Sequence, residues 1–127
     1  MTTTNIFSDL PDHTTTKNLG IWMDHSHAHL VEFATDPVTT HVISNSLSQH
    51  SPEDGTQQLA EYYRKLRDII LNFHHVLLFG PTSAKVELLN LCRADHKFSH
   101  VRIETRDSDK MTQNEQQAFV RDYFLER

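Results

Sequence analysis

Two apolar-rich runs, 19–24 and 28–33, flank the polar triplet His25-Ser26-His27, a pattern that predicts two antiparallel strands joined by a tight turn. Asp36-Pro37 supplies a second turn signal, and 39–46 continues with β-branched residues alternating with polar ones, which predicts a third strand. Ser51-Pro52-Glu53-Asp54 then combines an N-cap serine, a proline suited to the first helical position and acids that favour the positive end of the helix dipole. A helix is expected to start there or just after Gly55. Leu59, Tyr62, Tyr63, Leu66, Ile69, Ile70 and Phe73 recur at three- and four-residue intervals and mark its apolar face, while Glu61, Arg64, Lys65 and Asp68 lie elsewhere.

The run Val76-Leu77-Leu78-Phe79 is continuously apolar and stops at Gly80-Pro81, as expected for a central strand covered on both faces in a parallel sheet. Thr82 or Ser83 can cap a helix ending near Asp95, with Val86, Leu88, Leu89, Leu91 and Cys92 expected on its buried side. A short strand is expected at 100–105. Thr112-Gln113-Asn114-Glu115 matches a capping box, so a terminal helix should run to about Leu125 and dock through the apolar members of the stripe Ala118, Phe119, Asp122 and Tyr123. The element order β-β-β-α-β-α-β-α, with right-handed later crossovers, points to an α/β fold with a ribonuclease-H-like mixed sheet. Ferredoxin-like and flavodoxin-like sheets compete with it, because element order alone does not prove strand order.

At 127 residues the chain fits one domain able to bury its own core, expected over 18–127, and residues 1–17, with two threonine triplets and Pro11, read as a disordered tail. No apolar run resembles a signal-peptide core or approaches the roughly 20 residues of a membrane span, so no membrane partner is expected. Cys92 is the only cysteine, which rules out an intramolecular disulfide and suits a reducing, cytoplasmic setting. With 12 basic and 17 acidic side chains and a formal charge of −5, the chain lacks a global field for phosphate binding, although a local basic face remains open. Ten histidines make its charge pH-sensitive.

The candidate chemistry is sparse. On a continuous strand His25, His27 and His29 would share one face, near Asp24, and could hold a transition metal. A turn at Ser26 would separate them, and a polar hairpin tip is the ordinary explanation. Asp24 at a strand end also invites comparison with a two-metal nuclease, but Phe79-Gly80 supplies no second strand-end acid. Gly80-Pro81-Thr82-Ser83-Ala84-Lys85 could receive an anion through Thr82, Ser83 and Lys85, although it departs from the phosphate-loop pattern and ordinary capping also explains it. Arg102, Arg106 and Lys110, with Lys85, could surround the sheet's carboxyl edge and touch RNA phosphates. No nucleophile-elbow motif is present, and no cofactor is expected.

The hairpin Gly20-Ile21-Trp22-Met23-Asp24 followed by Ala28-His29-Leu30-Val31, and Val76-Leu77-Leu78-Phe79-Gly80 leading into Lys85-Val86-Glu87-Leu88, resemble the middle domain of archaeo-eukaryotic release factors, Pelota-like proteins and their bacterial relatives. Val101-Arg102-Ile103 and the closing helix extend the resemblance, which covers roughly residues 19–124. In release factors that domain carries a Gly-Gly-Gln loop that promotes peptidyl-tRNA hydrolysis. The matching region here, 44–58, lacks the triplet: Gln57 and Gln58 follow Thr56. Pelota-like proteins also lack it and retain ribosome contact. The resemblance therefore implies a stand-alone, non-catalytic protein that binds ribosome, tRNA or a translation factor. The alternatives are a small metal-dependent hydrolase or nuclease using Asp24 and the nearby histidines, and a protein-binding adaptor, for which a homo-oligomer is one form.

Overall fold

The computed structural model describes residues 17–33, 37–44 and 55–126. The expected N-terminal tail, up to residue 16, and the cap expected at 51–54 lie outside them. The strands are β1 (Asn18–Met23), β2 (His27–Phe33), β3 (Pro37–Ser44), β4 (His75–Gly80) and β5 (Arg102–Asp107). Among the described residues the helices are α1 (Gly55–Ile70), α2 (Ala84–Arg93) and α3 (Gln113–Leu125), with a 3-10 turn at His96–Phe98.

The strands form one sheet in the order β3-β2-β1-β4-β5. β2 runs antiparallel to both β1 and β3, while β1, β4 and β5 are parallel, so the sheet is mixed and the fold is ribonuclease-H-like. This strand order excludes the ferredoxin-like and flavodoxin-like alternatives. A register shift between Leu30 and Val31 interrupts the pairing of β2 with β3.

Strand alternation divides the core. Leu19, Ile21, Met23, Leu30, Val76 and Leu78 face α1 and α2, meeting Tyr62, Tyr63, Leu66, Ile70, Leu88 and Cys92. Trp22, Val31, Phe33, Leu77 and Phe79 face α3, meeting Val120, Tyr123 and Phe124. β4 is buried at every position, as its unbroken apolar run predicts. α3 lies so close to β1 that a Cβ built on Gly20 would sit 2.3 Å from Val120 Cγ2, so glycine is required there by space.

Four expectations change in detail. β3 opens at Pro37, two residues earlier than expected, so the proline placed in the turn begins the strand. β5 starts two residues later than expected, because the 3-10 turn and the turn at Ser99–His100 use the preceding chain. In α2, Val86 and Leu91 are exposed, and Ala84 and Lys85 are buried in their stead beside Leu88, Leu89 and Cys92. In α3 the buried set is Gln116, Val120, Tyr123 and Phe124; Phe119 is only partly buried and Asp122 is exposed. The predicted capping box is present, with Thr112 and Glu115 bonded reciprocally.

Candidate functional site

The three parallel strands deliver Asp24, the Gly80–Lys85 turn and Asp107 to one edge of the sheet, where α/β proteins place their ligands. Gly80 holds φ +149°, and a Cβ there would lie 2.1 Å from the Met23 carbonyl oxygen, so the turns after β1 and β4 touch through backbone alone. Asp24 makes the hairpin turn itself: its Oδ1 accepts from the Ser26 and His27 N–H groups at 2.7 and 2.8 Å. The Tyr62 hydroxyl fixes the same residue by donating to its carbonyl at 2.8 Å.

On the α2 side of this edge, Glu87 gathers three partners. The Tyr63 hydroxyl donates to Oε1 at 2.6 Å, His25 Nε2 lies 3.1 Å from the same oxygen, and Ser83 Oγ donates to Oε2 at 3.0 Å. The Tyr63 hydroxyl is the main reason the Glu87 carboxyl titrates below its ordinary value; desolvation opposes this, while Ser83 and His25 assist it. Burial first, and Glu87 second, push the Tyr63 phenol up, so it stays a donor. This is a carboxylate clamp that joins hairpin, α1 and α2.

Lys85, 4% exposed, points its ammonium at the Thr82 carbonyl (2.6 Å) and at the Asp107 carboxylate (2.9 Å). The cation expected to meet an anion at this turn is thus held by the chain's own β5. Thr82 Oγ1 accepts from the Ala84 N–H at 3.2 Å, while Ser83, the N-cap residue, makes no side-chain capping bond and turns to Glu87.

On the α3 side, a cleft of about 330 Å³ is lined by Trp22, Asp24, His27, His29, Lys110, Met111 and Gln116. The buried Gln116 donates through Nε2 to the Met111 carbonyl at 3.1 Å, which leaves its oxygen 3.1 Å from His29 Nδ1. Because an amide oxygen can only accept, His29 Nδ1 is the donor in that contact. The Trp22 ring lies 5.5 Å from the His29 ring, and its N–H reaches the Asp109 carbonyl at 3.5 Å. His27 and Lys110 are exposed at the rim.

The expected metal cluster does not converge, because the chain reverses at Ser26: His25 goes to Glu87 on α2, whereas His29 goes to Gln116 on α3. Among the described residues no three histidine, cysteine, aspartate or glutamate side chains are grouped to hold a metal ion. The expected basic rim also separates. Arg102 opens β5 opposite His75, at the far end of the strand, and binds Glu104 Oε2 at 2.7 and 3.0 Å. Arg106, opposite Phe79, is engaged with Glu104 and with the Thr105 carbonyl and lies over the Tyr123 ring. Of the four cations, Lys110 alone lines the cleft.

Tyr63, Glu87, Trp22 and Gln116 carry no site signal of their own in the sequence. Tyr63 belongs to the expected apolar face of the first helix and Trp22 to an apolar-rich run, Glu87 falls outside the expected buried side of α2, and Gln116 lies off the stripe expected to dock α3. Only the pairing of hairpin and helices brings them together.

No family model matches the chain, and no curated relative does. Among solved structures it is similar to the Pelota protein of Thermoplasma acidophilum, at 12% identity and TM-score 0.62, over 100% of this chain and 39% of that one. It is similar to Pelota of Archaeoglobus fulgidus at 10% identity and TM-score 0.58, over 93% and 34% of the two chains. An archaeal translation termination factor, aRF1, superposes at TM-score 0.52 and 11% identity, over 87% and 38%. The chain thus spans little more than a third of each of these proteins, and it has the fold of a domain that Pelota and aRF1 contain.

Proposed function

We propose that this chain is a translation-associated binding protein that contacts the ribosome or tRNA and does not itself release peptide. The observation that carries this reading is the fold held in common with Pelota and with a factor described as a translation termination factor, over most or all of this chain. The absence of a release loop agrees with it: the three glycines, Gly20, Gly55 and Gly80, are never adjacent, so no Gly-Gly-Gln triplet exists in the sequence.

The geometry favours binding over hydrolysis. Asp24 Oδ1 serves its own turn, and the ammonium of Lys85 is engaged with Asp107 at the sheet's carboxyl edge. The surface offered to an RNA is the cleft rim of His27 and Lys110, with Trp22 and His29 beneath it. Thr82, Ser83, Arg102 and Arg106 contribute to contact only secondarily, because each already serves a bond within the chain. Among the described residues no helix is long and apolar enough to cross a membrane. The cytoplasmic setting we propose follows from the translation reading and rests on the fold held in common with Pelota and aRF1.

Sedimentation of the tagged protein with purified ribosomes across a salt series tests the reading. Association at low salt that weakens as salt rises is expected, with Lys110→Glu reducing both the affinity and the salt slope, the latter by roughly one contact. Absence of the protein from every ribosomal fraction at low salt would overturn it.

A further inference from the structure

β5 forms one margin of the sheet, and among the described residues only β4 pairs with it. Alternate residues of a parallel pair turn their N–H and C=O groups toward the neighbour. The Arg102 N–H reaches the His74 carbonyl at 2.8 Å and the Ser108 N–H reaches that of Gly80 at 3.1 Å. Even-numbered residues of β5 therefore face β4, and Ile103, Thr105 and Asp107 direct their backbone groups outward. The side chains divide the other way: Glu104 meets Tyr123 of α3, and Ile103 packs against the α1/α2 core.

The charge pattern along this edge is self-complementary in one register. We propose that two copies of the chain pair antiparallel through β5, about a two-fold axis at Thr105, joining their sheets edge to edge. In this register Thr105 faces its counterpart, Ile103 faces Asp107, and Glu104 faces Arg106 of the other copy twice over. Opposite charges placed directly across a ladder stabilise it, and like charges oppose it.

Neighbouring registers fit less well. Centring the axis on Glu104 sets that carboxylate against itself and Arg102 against Arg106. Centring it on Ile103 recruits Val101, whose N–H is already bonded to the Phe98 carbonyl at 2.9 Å. In the single chain, Arg106 donates to its own Glu104 at 3.3 Å and to the Thr105 carbonyl at 2.9 Å, lying across the edge. Pairing exchanges these contacts for cross-strand ones: the Thr105 carbonyl receives a backbone N–H, and Arg106 receives the glutamate opposite. The same patch serves both copies, as a two-fold interface demands. The proposal stands apart from the translation reading and survives its failure.

Sedimentation equilibrium of the full chain over a wide concentration range tests it. Reversible dimerisation is expected, and a wild-type chain that stays monomeric throughout overturns the proposal. Glu104→Arg alone and Arg106→Glu alone should each weaken self-association at least tenfold, because each sets like charges across the axis. Mixing these two variants should restore a heterodimer, since both 104/106 pairs are then opposite in charge, and this recovery also shows that both are folded. A native-like mixture that does not associate overturns the proposal. Thr105→Pro, which removes an N–H pointing away from β4 and leaves Glu104 in place, should abolish the dimer; a dimer that persists overturns it.

Discussion

The two faces of the sheet are built differently. The face under α1 and α2 is an apolar core mainly of aliphatic side chains, with Tyr62, Tyr63, Phe73 and Phe98 among them and its polar groups, Glu87, His25 and Ser83, gathered at the rim. The face under α3 is aromatic and interrupted by polar groups: His75 Nε2 lies 2.9 Å from the Tyr123 hydroxyl, which donates to Glu104 at 2.5 Å, and Gln116 is buried against His29. Among the described residues, two helices shield the first face and one shields the second. A single helix cannot cover five strands with aliphatic side chains alone, so the second face is completed by rings and by hydrogen bonds that satisfy one another. One face supplies bulk burial, whereas the other supplies the polar lining of the cleft.

The contrast can be broken most strongly from the aliphatic side. Leu66 is fully buried, and Leu66→Ala should lower the unfolding free energy by about 2–5 kcal/mol, as the cavity left behind adds to the lost transfer energy. Urea denaturation with an unchanged slope would register this as a shift in midpoint.

A smaller effect, of opposite steric sense, is expected on the α3 face. Gly20→Ala forces a methyl into Val120 and should cost about 1–3 kcal/mol by overpacking. Adding Val120→Ala removes the atoms that clash, so the double variant should be more stable than the sum of the two single losses implies. Simple additivity in that cycle would show that the helix does not rest on β1 at this point.

The smallest effect sharpens the rim of the first face. Glu87 titrates below its ordinary 4.5, so its contribution is fully present above pH 4.5 and is lost as pH falls through the lowered folded value. Tyr63→Phe removes the largest cause of that lowering and should flatten the acid limb of the stability curve. The change should stay under about 1 kcal/mol because Glu87 is well solvated. Midpoints measured from neutral pH down to acid would show it, and an unchanged acid limb would count against the clamp.

Much of the fold was legible because its strongest signals are local. α1 repeats its apolar residues at helical spacing, β4 is an unbroken apolar run, and Thr112 with Glu115 announces the start of α3. Where one signal competes with another, reading by polarity fails. Lys85 and Gln116 are buried polar residues whose partners, Asp107 and His29, lie on other elements, so no local pattern marks them as interior. Their burial displaces the apolar positions Val86 and Leu91 to the surface of α2 and rotates the docked stripe of α3 toward Val120 and Phe124. The candidate site suffered most. The histidine triplet is regular in sequence but is split by a turn whose geometry Asp24 sets, and the basic residues of β5 are spread along a strand by its rise of about 3.3 Å per residue.

A strand at the margin of a sheet ordinarily unzips first, because a ladder on only one side holds it. In β5 the final residue is also fastened from α2, since the Lys85 ammonium bridges the Thr82 carbonyl just before that helix and the Asp107 carboxylate. Fraying from that end requires a nearly dehydrated cation to give up a ligand, so local opening is pushed toward the Arg102 end. The sheet's carboxyl edge therefore keeps its shape through small fluctuations that loosen the opposite end, and a partner arriving there meets a surface already set.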